Sequence, residues 1–272
     1  MQNISVIIPT LNEAGNLTIL IGRIDKALSK ARVGYEVVVI DDHSSDETVK
    51  VARKLTKKFP VRVYLKQGQQ GKAQSIIEGV ARAKYGLVGV IDADLQYPPE
   101  ALAAMVAKVK SGEAEVVVGK RVEVKTSKLR KVVSWSFRRV FGEWLHGLKV
   151  DVQSGLKVFP KELLDYVDTK KVTPWTLDLP LLIRARDLGY KMGEVKISFE
   201  PRVYGESKVK VVASSMEIGW QAAKQKFVRK TPVVIAPSKK MIGAGVRLNG
   251  QKFVTHTTLP QAQSALVTAT DW

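Results

Sequence analysis

Residues 87–100 read LVGVIDADLQYPPE. A short apolar run, Leu87 to Ile91, leads into Asp92, Ala93, Asp94, Leu95 and Gln96, and Pro98 and Pro99 follow. On an extended backbone, side chains two residues apart point the same way. Asp92, Asp94 and Gln96 would then bring carboxylate and amide oxygens to one point at a strand end. Hard divalent cations such as Mg²⁺ or Mn²⁺ take such oxygens. An ion held there bridges a substrate's phosphates and offsets charge on a departing phosphate. The competing reading is a polar loop that leads into the next helix, with Glu100 in its first turn.

Two more polar clusters follow apolar runs. Pro9-Thr10-Leu11-Asn12-Glu13 comes after residues 4–8 (ISVII), and Asp41-Asp42 comes after residues 35–40 (YEVVVI). The patterning predicts further strands at 61–65, 87–91, 114–118, 156–159 and 192–199. It predicts helices at 16–28, 72–84, 99–110, 161–167 and 176–189, and Ser44-Ser45-Asp46-Glu47 is a helix-start signal. Apolar strands alternating with helices imply an α/β domain, with a mostly parallel sheet covered on both faces. Ligands on such sheets collect at the carboxyl ends of the strands. All three polar clusters fall at that rim.

The chain has 272 residues, 45% of them hydrophobic, which suits one sizeable domain or one domain with an appendage. There is no cysteine, so disulfides and thiolate metal sites are excluded. Three histidines, His43, His146 and His256, stand far apart and make no zinc spacing. No signal peptide is legible, and no apolar run approaches the roughly 18–20 residues that span a bilayer. The net charge of +18 attracts polyanions, whether nucleic acid, anionic lipid or phosphorylated substrate. Between Lys120 and Lys149, nine Lys or Arg face two Glu.

Within that basic stretch, residues 127–148 carry a stripe of Leu129, Val133, Phe137, Val140, Phe141, Trp144 and Leu148, flanked by Arg130, Lys131, Arg138 and Arg139. The pattern fits an amphipathic interface helix on an anionic membrane, or else a helix packed on its own domain. A second basic helical segment is predicted at 209–229. Composition shifts near Thr231-Pro232. A catalytic domain over 1–230 and a tail over 231–272 are expected, the tail being a small β appendage or sequence foreign to the native protein. In it, GVRLNGQKFVTH has the form of a hairpin around Asn249-Gly250.

The motifs SVIIPTLNEAGNL, VVVIDDHSSDET, GKAQSIIEGVARAKYG and VIDADLQYPPE, in this order, resemble the family 2 glycosyltransferases of the GT-A fold. DVQSGLKVF and EPRVYGESKV narrow the resemblance to the dolichol-phosphate mannose and polyprenyl-phosphate hexose synthases. It covers residues 3–229. Two features depart from the family's pattern: Gly86-Leu87 stands where Gly-Asp is common, and many relatives continue into transmembrane helices where this chain has its polar tail.

The resemblance implies a nucleotide-sugar donor, a dolichyl- or polyprenyl-phosphate acceptor, and Mg²⁺ or Mn²⁺ on Asp92, Asp94 and Gln96. It places Pro9, Leu11 and Glu13 beside the nucleotide, and Asp41 and Asp42 on the nucleoside. Lys72, Ala93, Ser154 and Gly155 join the substrate-binding set. Arg121, Arg130 and Ser134 are candidates for the lipid phosphate. Arg202 and Lys208 resemble residues that close over the diphosphate. Asp94, Arg121, Arg202 and Lys208 form the expected catalytic group. A peripheral site on the cytoplasmic face of a membrane is implied, with a transmembrane partner subunit or a transmembrane segment absent from this sequence.

Mannose from GDP-mannose is the first expectation and glucose from UDP-glucose the second. An aspartyl-phosphate phosphotransferase also uses D-x-D, but leaves Asp41-Asp42 and the basic segment without a role. A nucleic-acid binder rests on charge alone, with no recognisable module.

Overall fold

In a computed structural model of the chain, residues 3–124, 147–173, 177–200, 246–248 and 251–253 are described. The chain divides into two compact units, Met1–Arg229 and Lys230–Trp272.

The first unit contains strands β1 (Ile4–Thr10), β2 (Tyr35–Asp41), β3 (Val61–Leu65), β4 (Leu87–Val90), β5 (Val116–Val124), β6 (Lys157–Pro160) and β7 (Met192–Phe199). Its helices are α1 (Ala14–Lys30), α2 (Thr48–Leu55), α3 (Lys72–Arg82), α4 (Ala101–Lys110) and α5 (Asp178–Asp187). The strands form one sheet in the order β3-β2-β1-β4-β6-β5-β7. β1 pairs in parallel with β2 and β4, β2 with β3, and β5 with β7. β6 runs antiparallel to both its neighbours, β4 and β5. The sheet is therefore mostly parallel, as the patterning implied, with one reversed strand in its middle that periodicity does not signal.

Continuous apolarity in the strands reflects burial on both faces. Val6, Ile8, Val37 and Val39 pack with Leu17, Leu20 and Ile24 of α1 on one face. Their sequence neighbours Ile7, Val38 and Ile40 pack with Ile76 and Val80 of α3 on the other. Each such buried Leu or Ile contributes about 1.5–3 kcal/mol. α3 lies close on the sheet at Gly79, where an added methyl group would run into Ile7 and sit 3.2 Å from Ile40 Cγ1. That close approach sets the helix whose first residue is Lys72.

Several boundaries move. Residues 161–167, expected as α-helix, form a 3-10 helix over Lys161–Tyr166. β5 extends to Val124, well past the expected 118, because it has β7 to pair with along its whole length. α4 starts at Ala101, after the two prolines. In the second unit, Val246–Leu248 pairs antiparallel with Gln251–Phe253, the hairpin register expected around Asn249-Gly250.

Candidate active site

The loops that leave β1 and β2 interlock. Asn12 and His43 both adopt positive φ, 54° and 61°, the left-handed region that Asn and His tolerate better than most residues. Asn12 N–H donates to Ser44 Oγ at 2.8 Å, and Asn12 Oδ1 accepts from Ser45 N–H at 2.7 Å. Asp41 is fully buried between them. It accepts from Thr10 Oγ1 at 2.9 Å, Ser44 N–H at 2.9 Å and Ser44 Oγ at 2.6 Å. Its carboxylate thus acts as the internal peg of the two loops. Glu13 N–H donates to Thr48 Oγ1 at 2.7 Å, and its carboxylate accepts from Asn16 Nδ2 at 2.6 Å. Pro9 and Leu11 are half-buried on the rim.

Asp42 is held as firmly. Lys66, one residue past β3, places Nζ 2.5 Å from Asp42 Oδ1, and Gly71 N–H donates to Asp42 Oδ2 at 2.8 Å. The same ammonium donates to the Gly71 carbonyl at 3.1 Å. The Lys66 side chain is completely buried. A buried ammonium needs such partners, because an unmatched charge in the interior is costly. The clamp delivers Gly71 and hence Lys72 at the start of α3. Lys66 was not anticipated; a lysine one residue past a strand is an ordinary surface pattern.

The Asp92–Gln96 segment corrects an expectation. β4 ends at Val90, and the backbone turns instead of staying extended, with Leu95 at φ 61°. Asp94 Oδ1 accepts from Gln96 N–H at 3.1 Å, the local turn that Asp side chains favour. Alternation along a strand therefore does not align Asp92, Asp94 and Gln96. The Gln96 amide donates from Nε2 to the Glu200 carbonyl at 3.2 Å, and Glu200 N–H returns a bond to the Gln96 carbonyl at 3.0 Å. Buried Ala93 sits between the two acids.

Asp92 meets Lys72, whose Nζ lies 2.6 Å from Oδ1. Burial works against the Lys72 charge, but Asp92, Asp178 and Tyr97 outweigh it and raise its pKa. Asp92 Oδ1 is buried and receives no well-aligned hydrogen bond. It is a place where positive charge is favoured. Among the described residues there is no cluster of three His, Cys, Asp or Glu that would cage a metal. Asp92 and Asp94 are two carboxylates, and that donor set fits an ion that takes its remaining ligands from phosphates and water, as Mg²⁺ usually does.

Gly155 closes on Asp92 from the other side. A methyl group at 155 would lie 2.8 Å from Asp92 Cγ and 3.0 Å from a Tyr97 ring carbon. Gly155 N–H donates to Tyr97 Oη at 2.7 Å, and the Tyr97 ring meets Phe199 edge-on at 5.0 Å. Burial pushes the Tyr97 phenol up to about 12, with Arg121 opposing and Asp92 adding to the shift.

Arg121 grips Asp151 with two parallel bonds, Nε to Oδ2 at 2.8 Å and Nη2 to Oδ1 at 2.9 Å. Its guanidinium also stands over the Phe199 ring at 5.6 Å. Burial disfavours both charges of the pair. Their mutual hydrogen bonds overcome that, so Arg121 is raised and Asp151 is lowered. Ser154 is buried in the turn after Asp151, its Oγ accepting from Leu156 N–H at 3.3 Å.

The structure thus gathers Asp92, Ala93, Lys72, Gly155, Ser154 and Arg121 on one rim, with the pegs Asp41 and Asp42 beneath two of its loops. Lys66, Tyr97, Asp151, Lys157 and Asp178 were missed. Asp151 and Lys157 lie inside the DVQSGLKVF motif itself, and Tyr97 directly follows the acidic motif. Arg130, Ser134, Arg202 and Lys208 lie outside the described residues.

Residues 5–168 match the family described as Glycosyl transferase family 2. A dolichol-phosphate mannosyltransferase from Pyrococcus furiosus is 34% identical over 220 residues, covering 77% of this chain and 60% of that protein. A polyprenol monophosphomannose synthase from Mycolicibacterium smegmatis is 28% identical over 220 residues, covering 76% of this chain and 81% of that protein. Among solved structures, glucosyl-3-phosphoglycerate synthase of Mycobacterium tuberculosis, crystallised with Mn²⁺, UDP-glucose and phosphoglyceric acid, superposes with a TM-score of 0.66. It is 19% identical, and the match covers 85% of this chain and 81% of that one. The fold is the GT-A fold, and the chain belongs to glycosyl transferase family 2. It spans 60% of the length of the Pyrococcus relative.

Proposed function

We propose that the protein transfers a hexose, with inversion, from a nucleoside-diphosphate sugar to the phosphate of a dolichyl or polyprenyl carrier. Mannose from GDP-mannose is the preferred donor, in line with what the two named relatives make. The observation that carries the reading is the Asp92 carboxylate, set between Lys72 and Gly155 on the rim where the strands end. A bound Mg²⁺ or Mn²⁺ would supply Lewis-acid support for the leaving diphosphate, with Asp92 and Asp94 as its protein ligands and Gln96 beside them.

The chain's own residues do the rest. Lys72 adds a fixed cation next to Asp92, where the diphosphate's charge would otherwise be repelled. The interlocked loops after β1 and β2 offer the nucleoside a rigid wall, pegged by Asp41 and Asp42. Arg121 has two of its N–H groups committed to Asp151, which aims the remaining face of the guanidinium. A guanidinium held this way orients a phosphate monoester. Such a phosphate has a second pKa near about 6 and is largely dianionic at neutral pH, so no strong general base is required. Direct attack from the face opposite the diphosphate inverts the sugar carbon.

The reading places the protein at the cytoplasmic face of a membrane, attached peripherally through its basic segments. Among the described residues, no helix is long and apolar enough to cross a membrane. The test is a thermal-shift and transfer screen of GDP-mannose, UDP-glucose and UDP-N-acetylglucosamine with Mn²⁺ and a short polyprenyl phosphate. GDP-mannose should both stabilise the protein and be consumed. Asp94→Ala should abolish transfer and weaken Mn²⁺-dependent donor binding at least tenfold. Full activity in excess chelator would sink the metal assignment, and turnover of UDP-glucose alone would replace mannose by glucose.

A further inference from the structure

Lys157 is a lysine in the middle of the sheet, on the reversed strand β6, and only 2% of it is exposed. An ammonium in that position persists only if its charge and its protons are matched. Two groups match it. The Ser154 carbonyl accepts a hydrogen bond from Nζ. Asp178 Oδ1, in the first turn of α5, lies 2.8 Å away. A structural lysine of this kind would merely fill the core, but the Ser154 carbonyl belongs to the turn that leads to the Asp92 carboxylate.

The route runs through the turn 151–155. Ser154 is bonded back to Asp151, its N–H donating to the Asp151 carbonyl at 3.1 Å. Asp151 holds Arg121, and Gly155 at the end of the turn abuts the Asp92 carboxylate with no room for a methyl group. One buried cation therefore ties the backbone that walls Asp92 to the start of α5.

We infer that Lys157 is a positioning residue for the transfer reaction: it ties the turn 151–155 to the start of α5, and through Gly155 it sets the place of Asp92. The inference rests on the reading of Asp92 as the carboxylate that faces the donor diphosphate.

The test starts with wild-type protein, titrated calorimetrically with GDP and with UDP in the presence of Mn²⁺. Whichever diphosphate binds becomes the probe, so an error about the nucleotide shows in the wild type and leaves Lys157 to be judged separately. Lys157→Met should weaken Mn²⁺-dependent diphosphate binding at least tenfold and lower kcat by a similar factor. Because that variant leaves the half-buried Asp178 without its ammonium partner, Lys157→Met/Asp178→Leu is made beside it. The double variant should recover thermal stability without recovering diphosphate affinity. Lys157→Arg should lose less than Lys157→Met, about three- to fivefold, since it keeps a cation but not its point geometry. Wild-type affinity and kcat in a folded Lys157→Met or double variant would overturn the inference and leave Lys157 a core-filling residue. If neither of those folds, wild-type affinity in Lys157→Arg overturns it instead.

Discussion

At the scale of single residues, this site is built from groups that constrain other groups. Gly155 shows it most directly. Gly155→Ala introduces one methyl against Asp92 and Tyr97, and overpacking of that size costs about 1–3 kcal/mol. We expect a lower melting temperature and, because Asp92 must move, at least a tenfold rise in the Kd for Mn²⁺ with a nucleoside diphosphate, read by calorimetry. An unchanged Kd would mean that Asp92 does not face the diphosphate. Asp151 gives a pH signature. Its folded pKa is depressed by Arg121, so it contributes stability above the ordinary Asp value of about 3.9, and that contribution is lost as pH falls through the folded value. The gap in melting temperature between wild type and Asp151→Asn should be constant above about pH 5 and shrink below about pH 4. A gap that persists into acid would mean that the ion pair is not what the wild type loses. The acidic motif was legible as chemistry because carboxylates at the end of an apolar run have few other reasons to cluster, whereas Lys72 came only with the family resemblance. Lys66, Lys157 and Asp178 were not legible, because nothing local distinguishes a buried, matched charge from a solvated one.

At the scale of elements, the alternation of apolar runs and amphipathic stripes was enough to place the strands and helices that carry the rim. Two things escaped it. The reversal of β6 is a matter of which neighbour the strand finds, and a four-residue run reads alike in both directions. The turn after β4 depends on Leu95 taking a left-handed backbone, which a leucine does not advertise, and so the aligned trio of oxygens was drawn on a strand that had already ended. The loops between the elements have their own rigidity, and the Lys66–Asp42–Gly71 clamp is the part most open to test. Lys66→Met strands a buried carboxylate, a loss of about 3–5 kcal/mol by the usual cost of breaking such pairs. Urea unfolding should show it, and Lys66→Met/Asp42→Asn should recover part of the loss. If the single variant unfolds at the wild-type midpoint, the clamp is not closed in solution.

At the scale of the whole molecule, the proposed attachment to an anionic membrane rests on the excess of positive charge. The densest cations fall at 120–149, beside the motifs that carry the resemblance to lipid-phosphate glycosyltransferases. Each Lys or Arg near an anionic bilayer adds about 1 kcal/mol of attraction, which salt screens within a Debye length. Reversing both Arg138 and Arg139 to Glu should cut co-sedimentation with phosphatidylserine-containing liposomes at low salt, leave donor affinity intact, and make no difference at high salt. Equal sedimentation of wild type and variant at low salt would take the membrane role away from this segment.

The paired bonds between Gln96 and Glu200, one from the Gln96 side-chain amide and one between backbones, join residues 104 positions apart. They have a consequence for how the protein is made. A ribosome releases β1 to β4 first, and with them the acids of the rim, but β7 and the residue that locks the Asp92 turn emerge only after most of the first unit has been synthesised. Long-range closures of this kind form late, since the chain's freedom must be given up before the contact rewards it. The growing polypeptide therefore carries the rim carboxylates for much of its synthesis without the tie that shapes them, and competence should arrive abruptly, when the edge strand docks, rather than accumulate as the sheet lengthens.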